Sequence, residues 1–212
     1  MSLTAAEEIR PGETQSGADA SAGVRVGPAS AWWVLIAGVI GLTASATLLI
    51  EKIEMLKDPA YVPTCSINPV LSCGSVMLRP EAAAFGFPNP LIGIVSFTVV
   101  IVTGVLSVAR VGLPRWFWVG LMCGTGLGVV FMHWLIFETL YEIGALCPYC
   151  MVVWSVTVPL LVVVAPIALR PLADNPAARF LYHWRWPLVA LWFTAVILQI
   201  LVRFWDYWST LI

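Results

Sequence analysis

Five stretches of the chain are apolar for long enough to cross a bilayer. Residues 31–50 (AWWVLIAGVIGLTASATLLI) and 90–109 (PLIGIVSFTVVIVTGVLSVA) carry no charge. Residues 116–140 form a slightly longer run, with His133 and Glu138 toward its end. The last two runs are 148–169 and 186–205. About 20 apolar residues are needed for a helix to span the hydrocarbon core. A crossing backbone must satisfy its own hydrogen bonds, which selects helix over irregular chain. The pattern therefore predicts an all-α integral membrane protein with five transmembrane helices. The joints are short except for one, the loop 51–89 between the first and second helices.

Composition sharpens this picture. Hydrophobic residues make up 60% of the chain, charged residues only 11%, and the mean hydropathy is +0.90. Soluble domains carry about 25% charged residues. A net charge of −1 leaves no basic surface for nucleic acid. Residues 1–30 are small and polar, include Glu7, Glu8, Glu13 and Asp19, and lack the basic and apolar regions of a signal peptide. They are expected to be a disordered cytoplasmic tail, with 31–212 forming one transmembrane domain. No internal repeat is visible.

Charge also orients the chain. With the N-terminus inside, seven of the eleven basic residues (Arg10, Arg25, Arg110, Arg115, Arg170, Arg179, Arg185) fall on the inner side. Trp32, Trp33, Trp116, Trp118, Trp184 and Trp186 cluster at that interface, with Trp205 and Trp208 at the other. The expected location is the cell inner (plasma) membrane, multi-pass, with the N-terminus cytoplasmic and the loop 51–89 extracytoplasmic.

The candidate chemistry is sulfur. Of five cysteines, Cys65 and Cys73 fall in the long outer loop, and Cys147 and Cys150 open the fourth span in the sequence CPYC. All four are expected on the oxidising side, where disulfides persist. Cys123 sits alone in the third span and reads as a small buried hydrophobe. Pro148 suits a first helical position, which makes Cys147 the N-cap and Cys150 the third helical residue, on a shared face. A thiolate there meets free backbone N–H groups and the positive end of the helix dipole, which lower its pKa. The C-x-x-C spacing alone admits a redox pair, a structural disulfide or a metal site. The loop pair, with seven residues between its cysteines, admits a structural staple. Two pairs on one side of a membrane favour a relay, in which the loop supplies mobility and the helix supplies position. A thiolate site for zinc or copper is the metal alternative. The oxidising side disfavours it, no histidine lies near, and no metal ligands are assigned.

Taken as an ordered set, five spans, C-x7-C in the first outer loop, FGFPNPLIG leading into the second span and CPYC opening the fourth resemble the bacterial vitamin K epoxide reductase family. The resemblance covers about residues 32–170, and the fifth span matches bacterial members. It implies a four-helix bundle around a quinone, with a fifth helix outside. It also implies a membrane thiol:quinone oxidoreductase that reoxidises an extracytoplasmic thioredoxin-like (DsbA-like) protein and reduces a membrane quinone, menaquinone or ubiquinone. In that family Cys150 corresponds to the thiol that reacts with the quinone, Cys147 to its resolving partner, and Cys65 and Cys73 to the loop pair that takes electrons from the substrate protein. Asn89 corresponds to the asparagine that hydrogen-bonds a quinone carbonyl; it is also suited to cap the helix that begins at Pro90. The ring is expected under the outer ends of the second, third and fourth spans, against Phe85, Phe87, Trp154 and His133. His133 has a second reading as a packing hydrogen bond between spans. Trp154 departs from the vertebrate pattern, which has tyrosine at this position, and offers an indole N–H instead. Many bacterial members continue into a fused thioredoxin-like domain. The sequence ends at Ile212, so a stand-alone form with a separate redox partner is expected. The rival functions are a non-enzymatic membrane scaffold or transporter with disulfide staples, and a thiolate metal-binding membrane protein.

Overall fold

The computed structural model describes residues 23–172 and 175–210. Its helices are α1 (Pro28–Lys57), α2 (Cys73–Met77), α3 (Pro90–Val108), α4 (Arg115–Phe137), α5 (Pro148–Ala168), α6 (Pro176–Arg203) and α7 (Trp205–Trp208). Five of these are long and apolar enough to cross a membrane. The protein is thus an all-α multi-pass membrane protein, as the hydropathy pattern predicts. Among the described residues, β pairing is limited to two isolated bridges, Val24 with Leu113 and Leu71 with Leu146.

Local sequence sets where the helices begin. Pro28, Pro90, Pro148 and Pro176 each occupy the first position of their helix, where the missing N–H has no partner to lose and the fixed φ is already helical. The far end of α4 passes into a π-helical turn, Glu138–Ile143, and Gly144 stops it in the left-handed region with φ 70°. That stop is what turns the chain back toward Cys147.

Two helix boundaries differ from expectation. The first helix continues to Lys57 instead of ending at residue 50, and the last begins at Pro176 instead of 186. Both extensions contain charges that break an apolar run without breaking a helix. The expected tail, 1–30, lies mostly outside the described residues. Its boundary at residue 30 is too late, because Val24 pairs with Leu113 through both backbone groups (2.7 and 3.3 Å) and Arg170 Nη2 donates to Arg25 O at 3.0 Å.

Helices α3, α1, α5 and α4 pack side by side in that order, and α6 leans on the outside of α5. The α1–α3 contact is the tightest because it runs through small residues, as membrane helix pairs do. Gly41 packs directly on the Phe97 ring and Gly104 directly on the Leu35 backbone, with no room for a Cβ at either position. Gly104→Ala should therefore destabilise the bundle by roughly 1–3 kcal/mol, the usual cost of overpacking. Gly126→Ala, inside α4 with open space around it, should not lower the melting temperature in detergent. α3 and α4 do not close against each other in the same way; they stand on opposite sides of a cavity.

Candidate active site

The site is built at the end of the bundle where α1 stops and α5 starts. Cys147 caps α5 with extended backbone (φ −98°, ψ 116°), Pro148 is the first helical residue, and Met151 N–H donates to Cys147 O at 3.1 Å. Cys147 is fully buried and Cys150 half-buried. The Cys147 thiol is held below its ordinary pKa, first by the hydrogen bond from the Cys150 thiol. Burial opposes this, and the backbone N–H groups of Cys150 and Tyr149 reinforce it.

The loop cysteines form a disulfide, Cys65–Cys73, with Cα atoms 5.6 Å apart. Cys73 is the first residue of α2, and Ser72 caps that helix by accepting from Ser75 N–H at 3.3 Å. The loop is held in place more firmly than its Pro, Ser, Asn and Gly content implies. Leu146 N–H donates to Val70 O at 2.7 Å, and Ser72 N–H donates to Leu146 O at 2.9 Å. Asn68 Oδ1 shapes the approach by accepting from Val70 N–H (3.0 Å) and Leu71 N–H (2.7 Å). Both cysteines follow directly on this ladder, Cys73 after Ser72 and Cys147 after Leu146. Their sulfurs lie 3.2 Å apart. Three sulfurs in a row, with a fourth in the same motif, can exchange: a thiolate at one end attacks the disulfide at the other, and the bond moves along.

Behind the sulfurs lies a cavity of about 540 Å³, bounded by α1, α3, α4 and α5. Cys147, Cys150, Trp154 and Asn89 are all on its wall. The Asn89 amide is fixed on both sides, Nδ2 donating to Glu81 O at 2.7 Å and Oδ1 accepting from Ala84 N–H at 3.1 Å. Its side chain does not cap α3; it ties down the preceding loop instead.

Three of the expected ring contacts, His133, Phe85 and Phe87, are not on the cavity wall. His133 faces α6, away from the cavity: its Nε2 accepts from Trp192 Nε1 at 2.8 Å, and Nδ1 lies 2.7 Å from Val129 O. With Nε2 accepting, Nδ1 carries the proton. This is the packing bond between spans, and it secures the outer helix. Phe87 is exposed and not on the cavity wall; it stacks on Phe85, which in turn touches Phe131 of the wall at 5.6 Å between ring centroids.

Other wall residues were not anticipated from the sequence. Gly120, Gly124 and Gly128 form one face of α4. A methyl at 120 or 124 would meet nothing within 4 Å, and one at 128 only Thr157 at 3.8 Å. The spacing of four in GLMCGTGLG was the available signal. Lys52, Glu81 and Glu138 are also on the wall, and Glu81 Oε2 is buried without a hydrogen-bond partner.

A bundle of membrane-spanning helices that holds a disulfide against a C-x-x-C pair, over an apolar cavity, defines a membrane thiol–disulfide oxidoreductase. More particularly, the chain belongs to the vitamin K epoxide reductase family, whose sequence profile matches residues 32–165. That match includes all four cysteines of the site. Members of the family are oxidoreductases acting on thiols, and the family is associated with quinone use. No curated protein matches the chain.

Proposed function

We propose that the protein is a thiol:quinone oxidoreductase of the inner (plasma) membrane. It reoxidises a separate, extracytoplasmic DsbA-like protein and passes the electrons to a membrane quinone, menaquinone or ubiquinone. The N-terminus is cytoplasmic and the four-cysteine end of the bundle faces outward. The observation that carries this reading is the 3.2 Å contact between Cys73, one half of the loop disulfide, and Cys147, which shares a motif with a thiol on the cavity wall.

The relay balances at each step. A thiolate of the substrate protein attacks the loop disulfide, and its second thiol resolves the mixed disulfide, leaving Cys65 and Cys73 reduced. Cys73 as thiolate then attacks Cys147 of a Cys147–Cys150 disulfide; the Cys73–Cys147 bond forms and Cys150 leaves as thiolate. Cys65 attacks Cys73, which restores the loop disulfide and leaves Cys147 and Cys150 as a dithiol. That is the redox state described above. A quinone bound in the cavity supplies an acceptor for two electrons and two protons. Cys150 is the thiol on that wall at the helix start, and Cys147 closes on it to re-form the disulfide. The dithiol gives up what the acceptor gains.

The cavity fits a flat, lipid-soluble ring. Its volume lies within the roughly 300–1,000 Å³ common for small-molecule sites, and the glycine face of α4 leaves one side open. Asn89 and Trp154 bring N–H donors to a largely apolar wall. A disulfide staple would gain nothing from a third sulfur in contact with it. A closed four-thiolate metal site is not available while Cys65 and Cys73 are joined.

The direct test is purified protein in lipid nanodiscs with a reduced DsbA-like substrate and a quinone, followed by quinone absorbance. Turnover is expected; none with any thioredoxin-like donor would refute the function. A leucine at Gly124 projects into the cavity and should raise KM for the quinone about tenfold, a penalty of about 1.4 kcal/mol. KM for the thiol substrate should not change.

A further inference from the structure

The end of α1 beyond the apolar run does something its sequence does not announce. Leu48, Glu51, Lys52 and Met55 lie on one helical face, and each of them meets the loop. Leu48 and Met55 pack in the cluster that contains Cys65, Cys73 and Cys147. Lys52 Nζ donates to Met77 O, at the last residue of the helix that Cys73 begins. Glu51 takes the other end. Its Oε2 accepts from Tyr61 Oη at 2.9 Å and Thr64 N–H at 3.3 Å, and its Oε1 accepts from Thr64 Oγ1. Thr64 is bonded directly to Cys65.

Glu51 is only 5% exposed. A carboxylate at that depth persists only where donors replace its water, and every donor here comes from the four residues before the disulfide. We propose that Glu51 is a positioning residue of the relay. It anchors the Cys65 arm of the loop disulfide to α1, while the Leu71–Leu146 bridge anchors the Cys73 arm to α5, so that Cys73 stays within reach of Cys147. The proposal rests on the relay described above for its effect on turnover, but its geometric content does not.

The test therefore has two arms. In the first, Cys150→Ser protein in nanodiscs, its loop disulfide intact and with or without Glu51→Ala, is jumped from acid to neutral pH, and the rate at which Cys147 displaces Cys65 to form the Cys73–Cys147 bond is followed by acid quenching and mass spectrometry. Glu51→Ala should slow bond formation about ten- to a hundredfold, the scale that misplacing reacting groups by an ångström carries. In the second arm, the four-cysteine protein turns over a DsbA-like dithiol with quinone. Glu51→Ala should lower kcat by a similar factor with KM for the quinone unchanged. Glu51→Gln, which keeps an acceptor for Tyr61 and Thr64, should recover most of it. If Glu51→Ala does not fold, Thr64→Val breaks the same contact from the loop side and should slow both reactions. Unchanged bond formation in Glu51→Ala or Thr64→Val, or a glutamine variant as slow as alanine, overturns the inference. A wild type that does not turn over refutes the oxidoreductase reading instead, and the first arm still decides the role of Glu51.

Discussion

Protein carrying Cys65→Ser and Cys150→Ser together should be recovered, after mild oxidation, almost entirely with Cys73 joined to Cys147. The sulfurs that remain in the relay are already 3.2 Å apart and held by the backbone ladder through Leu71 and Leu146, so bond formation needs almost no movement. The companion variant, Cys73→Ser with Cys150→Ser, leaves Cys65 and Cys147 and should give little linkage, because the ladder positions residue 73. Non-reducing digestion and mass spectrometry of the linked peptides reads the outcome. Equal linkage in the two variants would mean that the loop samples many positions, and the ordered relay would fail with it. Preferential linkage through Cys73 would give it the inner role in the proposed relay and leave Cys65 to meet the substrate protein.

The second large effect is expected from Cys150→Ser alone. Quinone reduction should fall by about a thousandfold or more, as happens when a covalent nucleophile is removed. The loop disulfide is untouched in this variant, so a reduced DsbA-like protein should still be oxidised once, by about one equivalent, before the reaction stops. A burst without turnover separates loss of the terminal electron donor from loss of the fold. Steady quinone consumption by Cys150→Ser would remove this thiol from the mechanism.

The crossing helices were legible because apolar runs of the required length have few alternatives, and the prolines at 28, 90, 148 and 176 mark their starts. The end of α1 was not legible. Glu51 and Lys52 look like the first residues of a loop, and only the distant partners Tyr61, Thr64 and Met77 make their burial in a helix tolerable. The CPYC geometry at the start of α5 follows from local chemistry and is found as expected, whereas the restraint of the loop against Leu146 depends on pairing across more than seventy residues of chain. His133 illustrates a different difficulty. A lone polar side chain in a span must find a partner, but periodicity alone could not say whether it would face the cavity or the Trp192 indole of the outer helix. The glycine face of α4 was visible in the sequence, but small residues in a span serve tight packing more often than open space.

α3 and α4 stand apart along the cavity, and Val95 and Val99 on its α3 wall are exposed apolar side chains of a membrane-spanning helix, so an opening on that side would face hydrocarbon. Anything that reaches the cavity by that side is drawn from dissolved molecules in the lipid, and its effective dose is set by how strongly it partitions there. Inhibitor potency quoted per litre of water should then fall as more lipid is added at constant protein, while potency quoted per mole of lipid stays fixed.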